Sequence, residues 1–152
     1  MNKLYDLGYQ EIKELDLLEQ VCLKLDAVIL DVRFNPQSRN PRWARYTLAR
    51  RLIQRYVHVK SLGNENYKGG LIKIANLGVG LVAVRYYLEN NPVILMCACA
   101  DRPTCHRLTI VQEVERKMGI TSEPLSLEKC RQIAEDLPVR ANPPAQMTMF
   151  GE

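Results

Sequence analysis

Apolar runs and stretches with helical spacing alternate along this chain. Short strands are predicted where the apolar runs are continuous, in KLYDLG (3–8), DAVILDVR (26–33), YVHV (56–59) and VILMCACA (93–100). Helical spacing predicts helices over residues 12–25, 42–55, 77–89 and 105–118. This alternation predicts an α/β fold, a three-layer sandwich in which helices flank a largely parallel central sheet.

Three polar stretches follow predicted strands or lie in the loops beside them. They cover residues 31–38, 62–67 and 99–107. In open parallel sheets, ligands bind beyond the carboxyl ends of the strands, where loops and helix N-termini converge. We therefore expect these stretches to form one site.

The segment CACADRPTCHR (97–107) concentrates cysteine, histidine and arginine at that edge. Cys105 stands where a loop becomes a helix, and both the helix N-terminus and the neighbouring cations favour a thiolate. It is the best candidate nucleophile, although a small helix-capping residue without chemistry is the alternative. His106 is the candidate proton carrier, and Asp31 is a second candidate for the chemical role.

Arg107 falls in line with the apolar stripe of its own predicted helix and should point inward. A buried cation needs an anion, because an unpaired buried charge is costly. Asp31 is the candidate within the chain, and a substrate phosphate or carboxylate is the external one. The residues expected to bind an anion or substrate are Arg33, Asn35, Ser38, Arg42, Arg45, Asn64, Cys99 and Arg107.

The same segment supplies three thiols and an imidazole, in principle a zinc set. However, Cys97 and Cys99 are predicted on one strand, where pleating holds them apart, whereas structural zinc sites draw ligands from flexible turns. Cys97 is expected to be strand core. We therefore predict neither a metal nor a cofactor, and a zinc-binding protein stays an alternative.

Residues 39–55 contain six arginines together with Trp43 and Tyr46. Arginines interleaved with aromatic residues are typical of surfaces that bind nucleic acids or nucleotides. A simple solvated helix is the alternative, because helical spacing places Tyr46 on an apolar face with Ala49, Leu52 and Ile53, where it is expected to be a core residue. Arg42 and Arg45 stand in the first turn, within expected reach of Asp31 and Cys105 over the sheet edge.

Composition narrows the class of protein. The 152 residues are 47% hydrophobic and 25% charged with a net charge of +4, which fits one ordinary globular domain over residues 1–137 and permits a polyanionic partner. No apolar run is long enough to cross a bilayer, so no membrane partner and a cytoplasmic location are expected. Five cysteines, unevenly spread, favour reduced thiols over a disulfide framework.

Three motifs, DVRFNPQS, SLGN and CACADRPTCHR, together resemble the family catalogued as domain of unknown function 488, over roughly residues 4–118. The resemblance implies a three-layer α/β sandwich and no established reaction. Two positions depart from the family pattern: Cys99 stands where many members have an acidic residue, and Gly8-Tyr9-Gln10 where they have glycine-histidine-serine. The residues that match the family pattern are Asp31, Arg33, Pro36, Ser38, Gly63, Cys97, Cys105, His106 and Arg107.

The proline-containing segment 138–152 is expected to be a mobile tail. Its QMTMF sequence is similar to the pentapeptide by which bacterial replication and repair proteins bind the DNA sliding clamp, with Gln146, Met147, Met149 and Phe150 as contacts. Docking on the protein's own domain or on a dimer mate is the alternative. Two function classes remain: an enzyme acting on a nucleotide or nucleic acid, and a non-catalytic binding module for the same ligands.

Overall fold

The computed structural model describes residues 1–136, so the predicted tail lies outside the described residues. The strands are β1 (Leu4–Gly8), β2 (Val28–Asp31), β3 (Tyr56–His58), β4 (Val93–Cys97) and β5 (Ser122–Pro124). The helices are α1 (Tyr9–Ile12), α2 (Leu15–Leu25), α3 (Arg45–Leu52), α4 (Leu77–Asn90), α5 (His106–Met118) and α6 (Leu127–Asp136).

Within residues 1–136 the strands form one sheet in the order β3-β2-β4-β1-β5, and every pair is parallel. Two apolar layers cover it. One packs α2, α3 and α6 against side chains such as Leu7, Ile29 and Met96. The other packs α4 and α5 against side chains such as Leu30 and Leu95. The predicted α/β sandwich with a parallel sheet is confirmed.

Strand β4 is shorter than predicted and ends at Cys97. Its two neighbours end at the same level, because Gly8 is the register partner of Cys97 and Asp31 that of Met96. Beyond this point the backbone carbonyl of Ala98 accepts a hydrogen bond from the backbone N–H of Gln10, at 3.0 Å. The chain thereby leaves the sheet, and Cys99 is a loop residue.

The helix predicted over residues 42–55 is broken. A 3-10 turn at Pro41–Trp43 precedes α3, and Ala44 between them is extended. Since Trp43 is held in a stack on Tyr9, with ring centroids 4.6 Å apart, α3 starts in a new phase and buries Leu48 and Leu52. The prediction that Tyr46 is a core residue is wrong, because 62% of its surface is exposed.

Strand β5 and helix α6 are not predicted by the sequence pattern. The strand is three residues long and polar (Ser122–Pro124), so it lacks an apolar signal. Helix α6 packs on α2 through the buried side chains of Cys130 and Ile133.

Candidate functional site

Two adjacent hollows open at the carboxyl edge of the sheet. The inner cavity, about 350 Å³, is lined by thiols and an imidazole (Cys97, Cys99, Cys105, His106) and by the aromatic rings of Tyr9, Phe34 and Tyr67. The outer groove, about 940 Å³, runs along the loop of residues 34–46 and past Lys60. The two share Phe34, Asn35, Gln37 and Tyr67. No residue that lines either hollow is acidic, within the described part of the chain.

Cys105 lies at the junction that the sequence predicted. It is the N-cap of α5, only 6% of its surface is exposed, and it lines the inner cavity. Its Sγ is 2.8 Å from Sγ of Cys97 and 3.9 Å from Nδ1 of His106. The thiol thus meets a second thiol on its buried side and an imidazole beside it.

Cys97 is buried strand core, as predicted, but it is also part of a polar chain. Arg107 donates from Nη1 to Sγ of Cys97 at 3.1 Å and to the carbonyl oxygen of Cys99 at 2.7 Å. Sγ of Cys97 also lies 2.8 Å from Sγ of Cys105, and either sulfur can be the donor in this contact. The chain of contacts therefore runs from Arg107 through Cys97 to Cys105.

The anion that balances Arg107 is Asp6, in β1. Arg107 is 2% exposed and points inward, as predicted, with Nε 3.0 Å from Oδ1 of Asp6. The proposed pairing with Asp31 is wrong, because β4 lies between β1 and β2 and α5 reaches the β1 carboxylate. Arg102 and Ser122 also donate to Asp6, at 2.8 Å and 2.6 Å. Asp6 thus anchors three elements.

The electrostatics of Asp6 follow from these donors. Its side chain is fully buried, and burial alone would raise its pKa. The hydrogen bonds from Arg102, Ser122 and Arg107 outweigh burial, so the pKa of Asp6 lies below its ordinary value. The carboxylate is therefore charged at neutral pH and compensates Arg107.

Asp31 forms a second buried ion pair with Arg33. The guanidinium donates to both carboxylate oxygens, at 2.9 Å and 2.6 Å, and Tyr56 donates its hydroxyl to the same group. Burial and the Asp31 charge raise the pKa of Tyr56, so the phenol stays protonated. Asp31 is 0% exposed and does not line the inner cavity, whereas Arg33 lines it and lies over the Tyr9 ring at 5.2 Å. Asp31 therefore orients Arg33 and does not face a ligand.

His106 is fixed in one orientation. Its Nε2 is 2.7 Å from the carbonyl oxygen of Val32, a group that can only accept, so Nε2 carries a proton. In the neutral ring Nδ1 is then the acceptor, and this is the atom that faces Cys105. The backbone thus sets the tautomer that can take the thiol proton.

The pKa values of Cys97 and Cys105 are shifted in opposite directions. The hydrogen bond with Cys97 lowers the pKa of Cys105, and His106 and the backbone N–H of Arg107 lower it further. Together they outweigh burial, which raises it. The same hydrogen bond, together with burial, raises the pKa of Cys97. For comparison, burial raises the pKa of Cys22 to about 12 and that of Cys130 to about 11. Cys105 is therefore the more acidic thiol of the pair.

The remaining residues that were predicted to bind a ligand line different hollows. Asn35 lines both hollows, and its amide donates to the Tyr67 hydroxyl at 3.2 Å. Cys99 and Asn64 line the inner cavity, but the side-chain oxygen Oδ1 of Asn64 accepts hydrogen bonds within its loop from the backbone N–H groups of residues 66 and 73.

Three predicted residues come from the arginine-rich loop and its flank. Ser38 and Arg45 line the outer groove, whereas Arg42 lines neither hollow. The sequence analysis expected Arg42 and Arg45 to reach toward Asp31 and Cys105. The structure instead places Arg45 in the outer groove.

Sequence analysis missed several residues of the site. Asp6 interrupts an apolar strand, and a carboxylate in such a run is a signal for a buried partnered charge that was available. Tyr9, Phe34, Tyr67 and Lys60 gave no comparable signal, because they come from four separate segments that only the fold brings together.

Among residues 1–136, no three His, Cys, Asp or Glu side chains are grouped so that they can hold a metal ion. All five cysteines are free, and no helix in this range is long and apolar enough to cross a membrane. No family model, no curated protein and no solved structure matches the chain.

Proposed function

We propose that this chain is a cysteine-dependent enzyme that acts on a nucleotide or a nucleic acid, with Cys105 as the nucleophile. The observation that supports this most is the setting of Cys105: a thiol at a helix N-terminus that lies 2.8 Å from Sγ of Cys97 and lines a cavity of about 350 Å³. A purely structural cysteine needs neither a hydrogen-bonded partner nor access to a cavity.

His106 takes the thiol proton in this proposal. Its Nδ1 faces Cys105 while Nε2 is committed to the backbone, so proton transfer produces a thiolate beside an imidazolium. Asp6 and Arg107 act as positioning residues, since they hold Cys97 in the orientation from which it donates. Asp31 has the same kind of role toward Arg33.

The inner cavity supports a planar heterocycle as the reacting group. Its size is at the small end of ligand pockets. Aromatic rings at Tyr9, Phe34 and Tyr67 offer stacking, and the Asn35 amide offers hydrogen bonds to a base edge. These are the groups that recognise a nucleobase.

The first test is the pH dependence of Cys105 alkylation by iodoacetamide, followed by peptide mass spectrometry. We expect a midpoint well below that of a free thiol, and a higher midpoint in Cys97→Ala, which removes the donor. Cys130→Ala is the matched control, since it removes a buried thiol from the opposite layer of the core and should leave the midpoint unchanged. A midpoint at or above the free-thiol value would contradict nucleophilic chemistry and favour a non-catalytic binding module.

The second test looks for the covalent step. Intact-mass measurement after incubation with nucleotides and oligonucleotides carrying electrophilic bases should show an adduct in the native chain and none in Cys105→Ser. Adduct formation that is equal in both proteins would mean that another residue reacts.

We also propose that the tail recruits the enzyme to the DNA sliding clamp through Gln146, Met147, Met149 and Phe150, which lie outside the described residues. The full chain should co-elute with clamp, Phe150→Ala should abolish co-elution, and Glu152→Ala, outside the pentapeptide, should not. Absence of a complex with the intact protein would remove this part of the proposal.

A further inference from the structure

The outer groove carries positive charge that the protein leaves unbalanced. Arg39, Arg42, Arg45 and Lys60 are all exposed, and none forms an ion pair with another residue in the described range. Arg39 and Arg42 come from the segment before α3, Arg45 is the first residue of α3, and Lys60 follows β3. Arg45 and Lys60 line the groove itself.

The neighbouring basic residues behave differently. Arg51, on α3, lies 2.7 Å from a carboxylate oxygen of Asp16. Arg55 lies 2.8 Å from a carboxylate oxygen of Asp26. Arg51 and Arg55 are therefore neutralised by carboxylates, whereas Arg45 and Lys60, which line the groove, are not.

Aromatic rings line the same groove. Tyr46 is 62% exposed and Tyr67 is 47% exposed, although large apolar surfaces are normally buried. Phe34 stands beside Tyr67 with ring centroids 6.1 Å apart, and Nζ of Lys60 lies 4.7 Å from the Phe34 ring centroid. Cations beside open aromatic faces are the elements with which proteins bind single-stranded nucleic acids.

The groove also adjoins the cavity that Cys105 lines, because Phe34, Asn35 and Tyr67 line both hollows. A free nucleotide would fill the inner cavity and leave the larger, basic groove without an occupant. A strand occupies both, with phosphates in the groove and one base in the cavity.

We propose that the outer groove binds a single-stranded polynucleotide, whose backbone passes Arg45 and Lys60 and whose bases stack on Tyr46 and Tyr67. This inference rests on the proposed function and specifies its substrate as a strand and not a mononucleotide.

The test is fluorescence anisotropy with labelled single strands of about 20 nucleotides, DNA and RNA in separate arms, at several salt concentrations. Tyr46→Ala should weaken binding roughly 5- to 150-fold, the usual loss of one stacked base. Tyr86→Ala is the matched control, because Tyr86 on α4 is also 62% exposed and lies in neither hollow. It should bind as the native chain does.

The charge arm uses Arg45→Ala combined with Lys60→Ala, with Arg85→Ala on α4 as the control. Loss of two phosphate contacts should make the slope of log affinity against log salt shallower by about 1.4. Strand binding that these groove variants leave unchanged, or duplex DNA bound as tightly as single strands, would overturn the inference.

Two further outcomes separate this inference from the proposed function. Nucleotide adducts on Cys105 without any strand affinity would overturn the groove proposal and leave the enzyme proposal standing. Groove-dependent strand binding by a chain whose Cys105 is inert would support the groove proposal and overturn the enzyme proposal.

Discussion

The close approach of Gly8 to the loop after β4 makes Gly8→Ala the sharpest test of the site's architecture. A Cβ built on Gly8 would lie 1.8 Å from the carbonyl oxygen of Cys99 and 3.0 Å from Nη1 of Arg107. Real Cβ atoms do not approach this closely, and the obstacle is backbone, so the loop must move. The φ of Gly8 is −112°, which alanine adopts without strain. The cost therefore comes from the clash alone.

The expected loss in the free energy of unfolding follows from the interactions that the displaced loop loses. Moving the Cys99 carbonyl breaks its 2.7 Å hydrogen bond from Arg107, and a bond to a charged group contributes about 1.5–3 kcal/mol. Overpacking adds about 1–3 kcal/mol. We expect Gly8→Ala to lower the free energy of unfolding by roughly 3–6 kcal/mol, a large share of a typical domain's stability.

Urea unfolding followed by circular dichroism measures this cost. Gly78→Ala is the matched control, because a Cβ there has only Asn76 Oδ1 within 4 Å, at 3.9 Å. Because Gly78 lies in α4, Gly78→Ala should raise the free energy of unfolding by no more than about 1 kcal/mol. If Gly8→Ala cost no more than Gly78→Ala, the packing of β1 against the Cys99 loop would be refuted.

Three further predictions concern the buried polar groups. Asp6→Asn should lower the free energy of unfolding by about 3–5 kcal/mol at neutral pH, since it leaves a buried guanidinium unpaired. Because the pKa of Asp6 is lowered in the folded chain, this difference from the native chain, measured by urea unfolding, should shrink as the pH falls below about 4. Tyr56→Phe removes the hydroxyl that donates to Asp31 and should cost about 1.5–3 kcal/mol by the same measurement. Diamide should join Cys97 and Cys105 in a disulfide visible by peptide mass spectrometry, with the diamide reduced to its hydrazine; a bridge from Cys99 instead would contradict the observed pairing.

The sequence predicted the alternation of elements because the buried strands are continuous apolar runs. It also placed Cys105 at the start of a helix and Arg107 inside, both from helical spacing. These features depend on local periodicity. The partner of Arg107 could not be found in this way, because Asp6 stands 101 residues earlier and meets it only when β1 pairs with β4.

The predicted buried face of α3 is wrong for a different reason. Helical spacing over residues 42–55 assumes an unbroken helix, whereas the Tyr9–Trp43 stack and the extended Ala44 restart it. The turn that exposes Tyr46 is therefore set by a contact from α1, outside the window that sequence reasoning used. The same restart turns Arg45 toward the groove, away from the thiol.

These placements are the reason why we propose charge recognition at the rim and base recognition in the interior. Arg33 and Arg107, which the sequence analysis expected to bind an anion, are both neutralised by buried aspartates, Asp31 and Asp6. A phosphate entering the inner cavity would have to compete with a carboxylate that already accepts two or more hydrogen bonds, whereas Lys60 has no carboxylate partner among the described residues. An uncharged ring in the cavity and a charged backbone outside it is therefore the arrangement of lowest electrostatic cost, and it is the one that a single strand satisfies.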